Sequence, residues 1–287
     1  YFKTVEDLNS IGGLDNLKQW LIRRAKAFSK KARDYGLPSP KGALLVGVPG
    51  GGKSLAAKCA SAVMGVPLLR FDISRVFGGL VGQSEEQMRT ALQTIDAIGP
   101  CVVWIDEIEK AFAGSAASGS SDSGVTRRVF GNFLTWMQEK TTPSFVVATA
   151  NSIIGIPPEM LRKGRFDENF FIDIPGPIAR AEILSIHLKK RGRGNNPIRA
   201  KDVVDASKGY TGAEIEAAVV EGMFRAFEHD RELNTSDIVE SLAATQPISQ
   251  ACADELAAMM KWAKDNAMAA SRADEGESRT TGRQLAI

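Results

Sequence analysis

Cysteine is scarce in this 287-residue chain: Cys59, Cys101 and Cys252 stand far apart. They offer neither an even disulfide framework nor a metal-ligand spacing, so reduced thiols in a cytosol-like compartment are the simplest account. No His-Glu-x-x-His run occurs, which removes the helical zinc-hydrolase motif. No apolar run approaches the roughly 20 residues needed to span a bilayer. A net charge of +2 is too small to indicate nucleic acid or an anionic surface as a partner. No secretory signal pattern is visible, but the chain opens at Tyr1 rather than methionine. A fragment or processed chain is therefore expected, and upstream targeting stays open. The apolar content of 44% is ordinary for a globular protein, and the length suits one large core plus a smaller unit.

The most informative stretch present is Gly47-Val48-Pro49-Gly50-Gly51-Gly52-Lys53-Ser54. An apolar run, Ala43-Leu44-Leu45-Val46, precedes it, and a helix-forming stretch opening at Leu55 follows. Strand, glycine loop and helix form the context a phosphate-binding loop needs. Glycines let backbone N–H groups turn toward an anion, and the next helix adds the positive end of its dipole. Lys53 is expected to reach the β- and γ-phosphates, and the Ser54 hydroxyl to ligate Mg²⁺. A glycine-rich turn without a ligand would share the composition, but not the match at all eight positions.

Further elements complete the expected site. Cys101-Val102-Val103-Trp104-Ile105 reads as a buried strand ending in Asp106-Glu107. At the carboxyl end of such a strand, Asp106 is placed to hold Mg²⁺ and Glu107 to polarise the attacking water. The strand Ser144–Ala150 ends in Asn151, which either orients that water, touches the γ-phosphate or is a turn residue. Arg162 and Arg165 suit an arginine finger donated to a neighbouring subunit, a surface loop being the alternative.

Strands near 43–47, 67–72, 101–105, 144–150 and 170–174 alternate with helices, so a parallel αβα sheet is expected. Residues 14–35 read as one basic amphipathic helix with Leu14, Leu17, Leu21 and Phe28 as its stripe and Trp20 on the flank. Its cationic face is either solvated or a docking surface. Pro175-Gly176-Pro177 should hinge into a helical lid, with helices near 178–191, 200–207, 212–228 and 235–243 and one more over 251–270. Thr211-x-x-Glu214 is a capping box that starts the third of these. The expected division is 1–175 for the nucleotide-binding unit, 176–270 for the lid and 271–287 for a disordered tail. Gly114–Gly124, rich in glycine and serine, reads as a mobile loop.

Taken in order, GVPGGGKS, VVWIDE, VVATAN and LRKGRFD resemble Walker A, Walker B, sensor 1 and the second region of homology of AAA ATPases. Within that family, GGLDNLKQWL, LVGQSE, WIDEIEKAFAG, RVFGNFLTW and EMLRKGRFDE are similar to the cyanobacterial and plastid reading-frame type. The resemblance covers roughly residues 8–245. It implies a P-loop NTPase three-layer αβα core with a C-terminal helical lid, binding of ATP and Mg²⁺, and a ring of copies, a hexamer. It adds Pro49 and Leu55 to the loop's nucleotide contacts and puts Gly12 near the adenine. His187 would lie against adenine or ribose, or be a packed lid histidine, and Gly212 and Ala213 would close over the base. A plastid stroma becomes an alternative to the cytoplasm.

Two departures from the family pattern matter. The phosphate loop reads Pro-Gly-Gly-Gly-Lys where many relatives have Pro-Pro-Gly-Thr-Gly-Lys, and the extra glycine leaves more entropy to lose on binding. The expected pore loop carries Leu80-Val81-Gly82 rather than an aromatic triplet, with Phe77 three residues before it. Aliphatic side chains grip a threaded chain less well than a ring. The expectation is thus Mg²⁺-dependent ATP hydrolysis by a ring that remodels a macromolecular, chiefly protein, partner. The alternative is an ATP-switched regulatory assembly that binds a partner, hydrolyses slowly and threads nothing. A small-molecule P-loop kinase would need an acceptor site and base that these motifs do not supply.

Overall fold

The computed structural model describes residues 6–73, 76, 83–112, 122–162 and 164–272. The pore-loop residues Leu80 and Val81 lie outside them, as do Phe77, residues 114–121 and the tail beyond 272. Six strands form one sheet: β1 (Gly42–Gly47), β2 (Leu68–Arg70), β3 (Cys101–Ile105), β4 (Ser144–Ala150), β5 (Glu168–Ile172) and β6 (Met268–Ala269). Their order is β2-β3-β4-β1-β5-β6, and every pairing is parallel. The helices are α1 (Asp15–Ala25), α2 (Lys30–Asp34), α3 (Lys53–Met64), α4 (Gln83–Ile98), α5 (Asp122–Glu139), α6 (Pro177–Lys190), α7 (Ala200–Ala206), α8 (Gly212–Glu228), α9 (Thr235–Ala243), α10 (Ile248–Ala251) and α11 (Ala253–Asn266).

The strands read as unbroken apolar runs because helices cover both faces of the sheet. Leu44, Val46, Val103, Ile105, Val146 and Ala148 point into one core with side chains of α4, α5 and α11. Their alternates Ala43, Leu45, Val102, Trp104, Phe145 and Val147 point into a second core with α1 and α3. This is the P-loop NTPase αβα architecture expected from the sequence. A third cluster holds α6 to α9 together, with the Tyr210 hydroxyl donating to the carbonyl of Leu242 at 2.6 Å.

Four expectations change. The stretch 14–35 is not one helix: after a 3₁₀ turn, Ser29 takes extended backbone and its hydroxyl caps α2 by accepting from Ala32 N–H. Trp20 does not flank the stripe; it is buried, edge-on to Phe170 at 5.3 Å. Most consequentially, the segment placed at the end of the lid packs on the sheet. Leu256, Met259 and Ala263 of α11 enter the first core, and β6 pairs with β5 through Phe170–Met268 and Phe171–Ala269. The apolar stripe was readable, but helical spacing does not say which surface receives it. Ser271, expected to begin a disordered tail, accepts Leu14 N–H on its hydroxyl, and its carbonyl accepts from the Asn16 amide at 3.0 Å.

Candidate functional site

All strands run parallel, so the carboxyl ends of β1, β3, β4 and β5 open on one edge of the sheet, where ligands bind in such folds. The loop after β1 holds Gly50 at φ 76° and Gly52 at φ 91°, left-handed conformations that side chains resist. Gly52 is the N-cap of α3, so the loop ends at the N-terminus of a helix, the positive end of its dipole. Lys53 is buried and its Nζ donates to the carbonyls of Gly47 at 2.8 Å and Val48 at 2.7 Å. Burial pulls its pKa down to about 8, against the opposing pull of Glu109, Asp106 and Glu107.

Beyond β3, the two acids are held differently. Asp106 Oδ1 accepts from the Thr149 hydroxyl at 2.6 Å and lies 3.4 Å from the Ser54 hydroxyl. A carboxylate and a hydroxyl so placed fit the oxygen donor set of Mg²⁺. Glu107 has the left-handed φ of 50°, rare for a non-glycine residue and common at functional sites. Its N–H donates to Thr149 Oγ1 at 3.0 Å. Its carboxylate accepts from Asn151 Nδ2 at 3.0 Å on one oxygen and from Lys110 Nζ at 2.6 Å on the other. Glu109 accepts the Asn151 backbone N–H at 3.1 Å, and burial pushes its carboxyl up.

The helical part closes the other side. Thr211 and Glu214 form the expected capping box, and Ala213 N–H donates to the Gly50 carbonyl at 3.2 Å. A cavity of about 400 Å³ results. It is lined by the whole loop from Pro49 to Leu55, by Asp106, Glu107 and Asn151, and by Gly12, His187, Gly212 and Ala213. A Cβ on Gly12 would stand 2.6 Å from Ile183 Cγ1, so only glycine lets the entry segment meet α6. His187 Nδ1 lies 3.3 Å from Glu216 Oε1, and Arg191 donates to the same oxygen at 2.7 Å. Burial lowers the His187 pKa and so favours the neutral ring, an effect that Glu216 partly offsets.

Arg162 and Arg165 stay outside this cavity. Arg162 is exposed, and Arg165 carries a buried Nη1 with no hydrogen-bond partner among the described residues. Arg128 pairs with Glu85 at 3.2 Å. The sequence reading missed Thr149, Glu109, Lys110 and Glu216. A lone threonine in the apolar strand Ser144–Ala150 was the available signal for Thr149. Acids two residues past Glu107 and one turn into α8 were the signals for Glu109 and Glu216.

A parallel sheet whose glycine loop, buried lysine and acidic strand end share one cavity defines a P-loop nucleotide-binding protein. Residues 43–174 match the family profile described as ATPase family associated with various cellular activities (AAA). The chain belongs to the AAA ATPase family and is similar within it to the ycf46 type. It is 47% identical over 264 residues to the uncharacterized AAA domain-containing protein ycf46 of Guillardia theta, covering 92% of this chain and 52% of that protein. The ycf46 protein of Pyropia yezoensis is 48% identical over 256 residues, 89% of this chain and 52% of its own. The cell division cycle protein 48 homolog of Archaeoglobus fulgidus is 31% identical over 212 residues, 72% of this chain and 28% of its own. The chain thus spans about half the length of the ycf46 relatives it matches. Among the described residues no helix is long and apolar enough to cross a membrane.

Proposed function

We propose that this chain hydrolyses ATP with Mg²⁺ as part of a ring, a hexamer, that remodels a macromolecular, chiefly protein, partner. The observation that carries the reading is the network from Ser54 through Asp106, Thr149 and Glu107 to Asn151 beside the phosphate loop. The loop N–H groups and Lys53 hold the β- and γ-phosphates. Ser54 and Asp106 would hold Mg²⁺, which when bound would supply charge neutralisation at the phosphates. Glu107, aimed by Asn151, polarises water whose oxygen bonds to the γ-phosphorus. The bond to the bridging oxygen breaks with its electron pair leaving on ADP, and the water proton passes to the Glu107 carboxylate.

Gly12, His187, Gly212 and Ala213 receive the nucleoside, and α6 to α9 act as the lid. On this division the nucleotide-binding unit runs to 175 and takes back residues 253–272, leaving roughly 176–252 as lid. Arg162 and Arg165 complete the site of the next copy, in keeping with their position outside their own cavity. Closure of lid on core would carry the force to the partner. A cytosol-like or stromal compartment suits the unpaired cysteines.

Glu107→Gln tests the reading directly: the variant should keep ATP bound and lose turnover, and hydrolysis at the wild-type rate would refute it. One observation favours the second reading, a slow-hydrolysing ATP switch. Both carboxylate oxygens of Glu107 are engaged, one by a cation.

A further inference from the structure

We propose that Lys110 is a positioning residue that restrains Glu107 and sets the resting rate of hydrolysis. The inference rests on Glu107 being the water activator. Lys110 sits one turn beyond it, its N–H donating to the Glu107 carbonyl at 2.9 Å. That short tether brings Nζ to 2.6 Å from Glu107 Oε2 while Asn151 holds Oε1. The left-handed backbone at Glu107 and its N–H bond to Thr149 fix the Cα–Cβ direction. The carboxylate is therefore pinned at its base and at both oxygens.

A charge-assisted bond of this length fixes the carboxylate's rotamer. That holds the carboxylate away from water, since the competent orientation must be free of the ammonium. The observed rate is then the intrinsic rate multiplied by the fraction of time Lys110 is released. Lys110 has no second acidic partner within salt-bridge distance among the described residues, and its side chain is 61% exposed. An exposed pair of this kind exchanges readily, so the brake is partial. The geometry also says how it is lifted: any anion or acidic partner group reaching the rim beside Glu107 competes for the same ammonium.

The test is steady-state ATP turnover of Lys110→Ala and Lys110→Met, the second keeping most of the aliphatic stem, beside Lys110→Arg. With release complete, kcat should rise about two- to fivefold with KM for ATP unchanged, and Lys110→Arg should stay near wild type. Unchanged or lower kcat in both neutral variants overturns the proposal. So does acceleration that persists when Glu107→Gln is added, because Lys110 would then act through another group. Wild-type turnover in Glu107→Gln alone is a different failure: it removes the role of Glu107 and the brake falls with it. Thermal melts of all variants should coincide, since an exposed side chain contributes little to the fold.

Discussion

The backbone N–H of Ala213, in the first turn of α8, donates to the carbonyl of Gly50 at 3.2 Å. Lid and phosphate loop therefore touch through main chain, and what moves one moves the other. A Cβ on Gly50 would stand 2.8 Å from Thr211 Oγ1 and 3.0 Å from Ala213 Cβ, at φ 76°. Gly50→Ala should thus meet both a left-handed penalty of roughly 1–2 kcal/mol and a clash with the lid. ATP affinity by calorimetry should fall about tenfold or more, since that penalty alone approaches the tenfold step. Wild-type affinity would show that the loop and lid separate freely.

Glu109 accepts the N–H of Asn151, whose amide in turn holds Glu107. Glu109→Gln keeps an oxygen for that N–H, whereas Glu109→Ala leaves it unpaired. Turnover should fall about tenfold in Glu109→Ala with KM little changed, and Glu109→Gln should recover most of it. Equal losses in the two variants would mean that the charge, not the bond, is what matters.

Burial raises the Cys59 thiol to about 12 and the Cys101 thiol to about 11. At pH 8 their thiolate fractions are about 10⁻⁴ and 10⁻³, so alkylation of the folded protein should mark Cys252 and spare both. Intact-mass measurement should give one adduct folded and three in denaturant. The sign for stability follows from raised native pKa values. Both thiols favour folding below pH 9, and that contribution is lost as pH climbs from 9 toward 11–12, because the unfolded chain ionises first. Rapid native labelling of Cys59 would contradict the buried placement.

Leu256 is buried in the core beneath the sheet rather than in the helical cluster. Leu256→Ala should cost about 2–5 kcal/mol of global stability, with the sheet and α11 melting together. If calorimetry showed a small separate transition with the main one unmoved, α11 would belong to the lid after all.

Much of the site was legible because phosphate binding confines residues to fixed spacings on a strand, loop and helix. Gly47 to Ser54, Asp106, Glu107 and Asn151 met those spacings, and Pro49 to Ser54 line one cavity with the two acids and Asn151. The five longer strands were legible as apolar runs between turn residues. Strand β6 was not, because Met268–Ala269 is too short to show any period. The break at Ser29 was masked by cationic residues on both sides that read as one helix face. Thr149 and Lys110 carry no pattern of their own, and their meaning comes only from what β4 and the turn after β3 bring within 3 Å.

The most direct measurement is ATPase rate per subunit against protein concentration, with Mg²⁺ and saturating ATP, beside size determination at each concentration. Mixtures with Arg165→Ala, whose own turnover should fall about 10³-fold, complete it. The rate should climb as rings assemble and then plateau, and adding Arg165→Ala subunits should depress it more than dilution alone. A monomer that hydrolyses at the full rate, indifferent to Arg165→Ala subunits, would contradict the shared site.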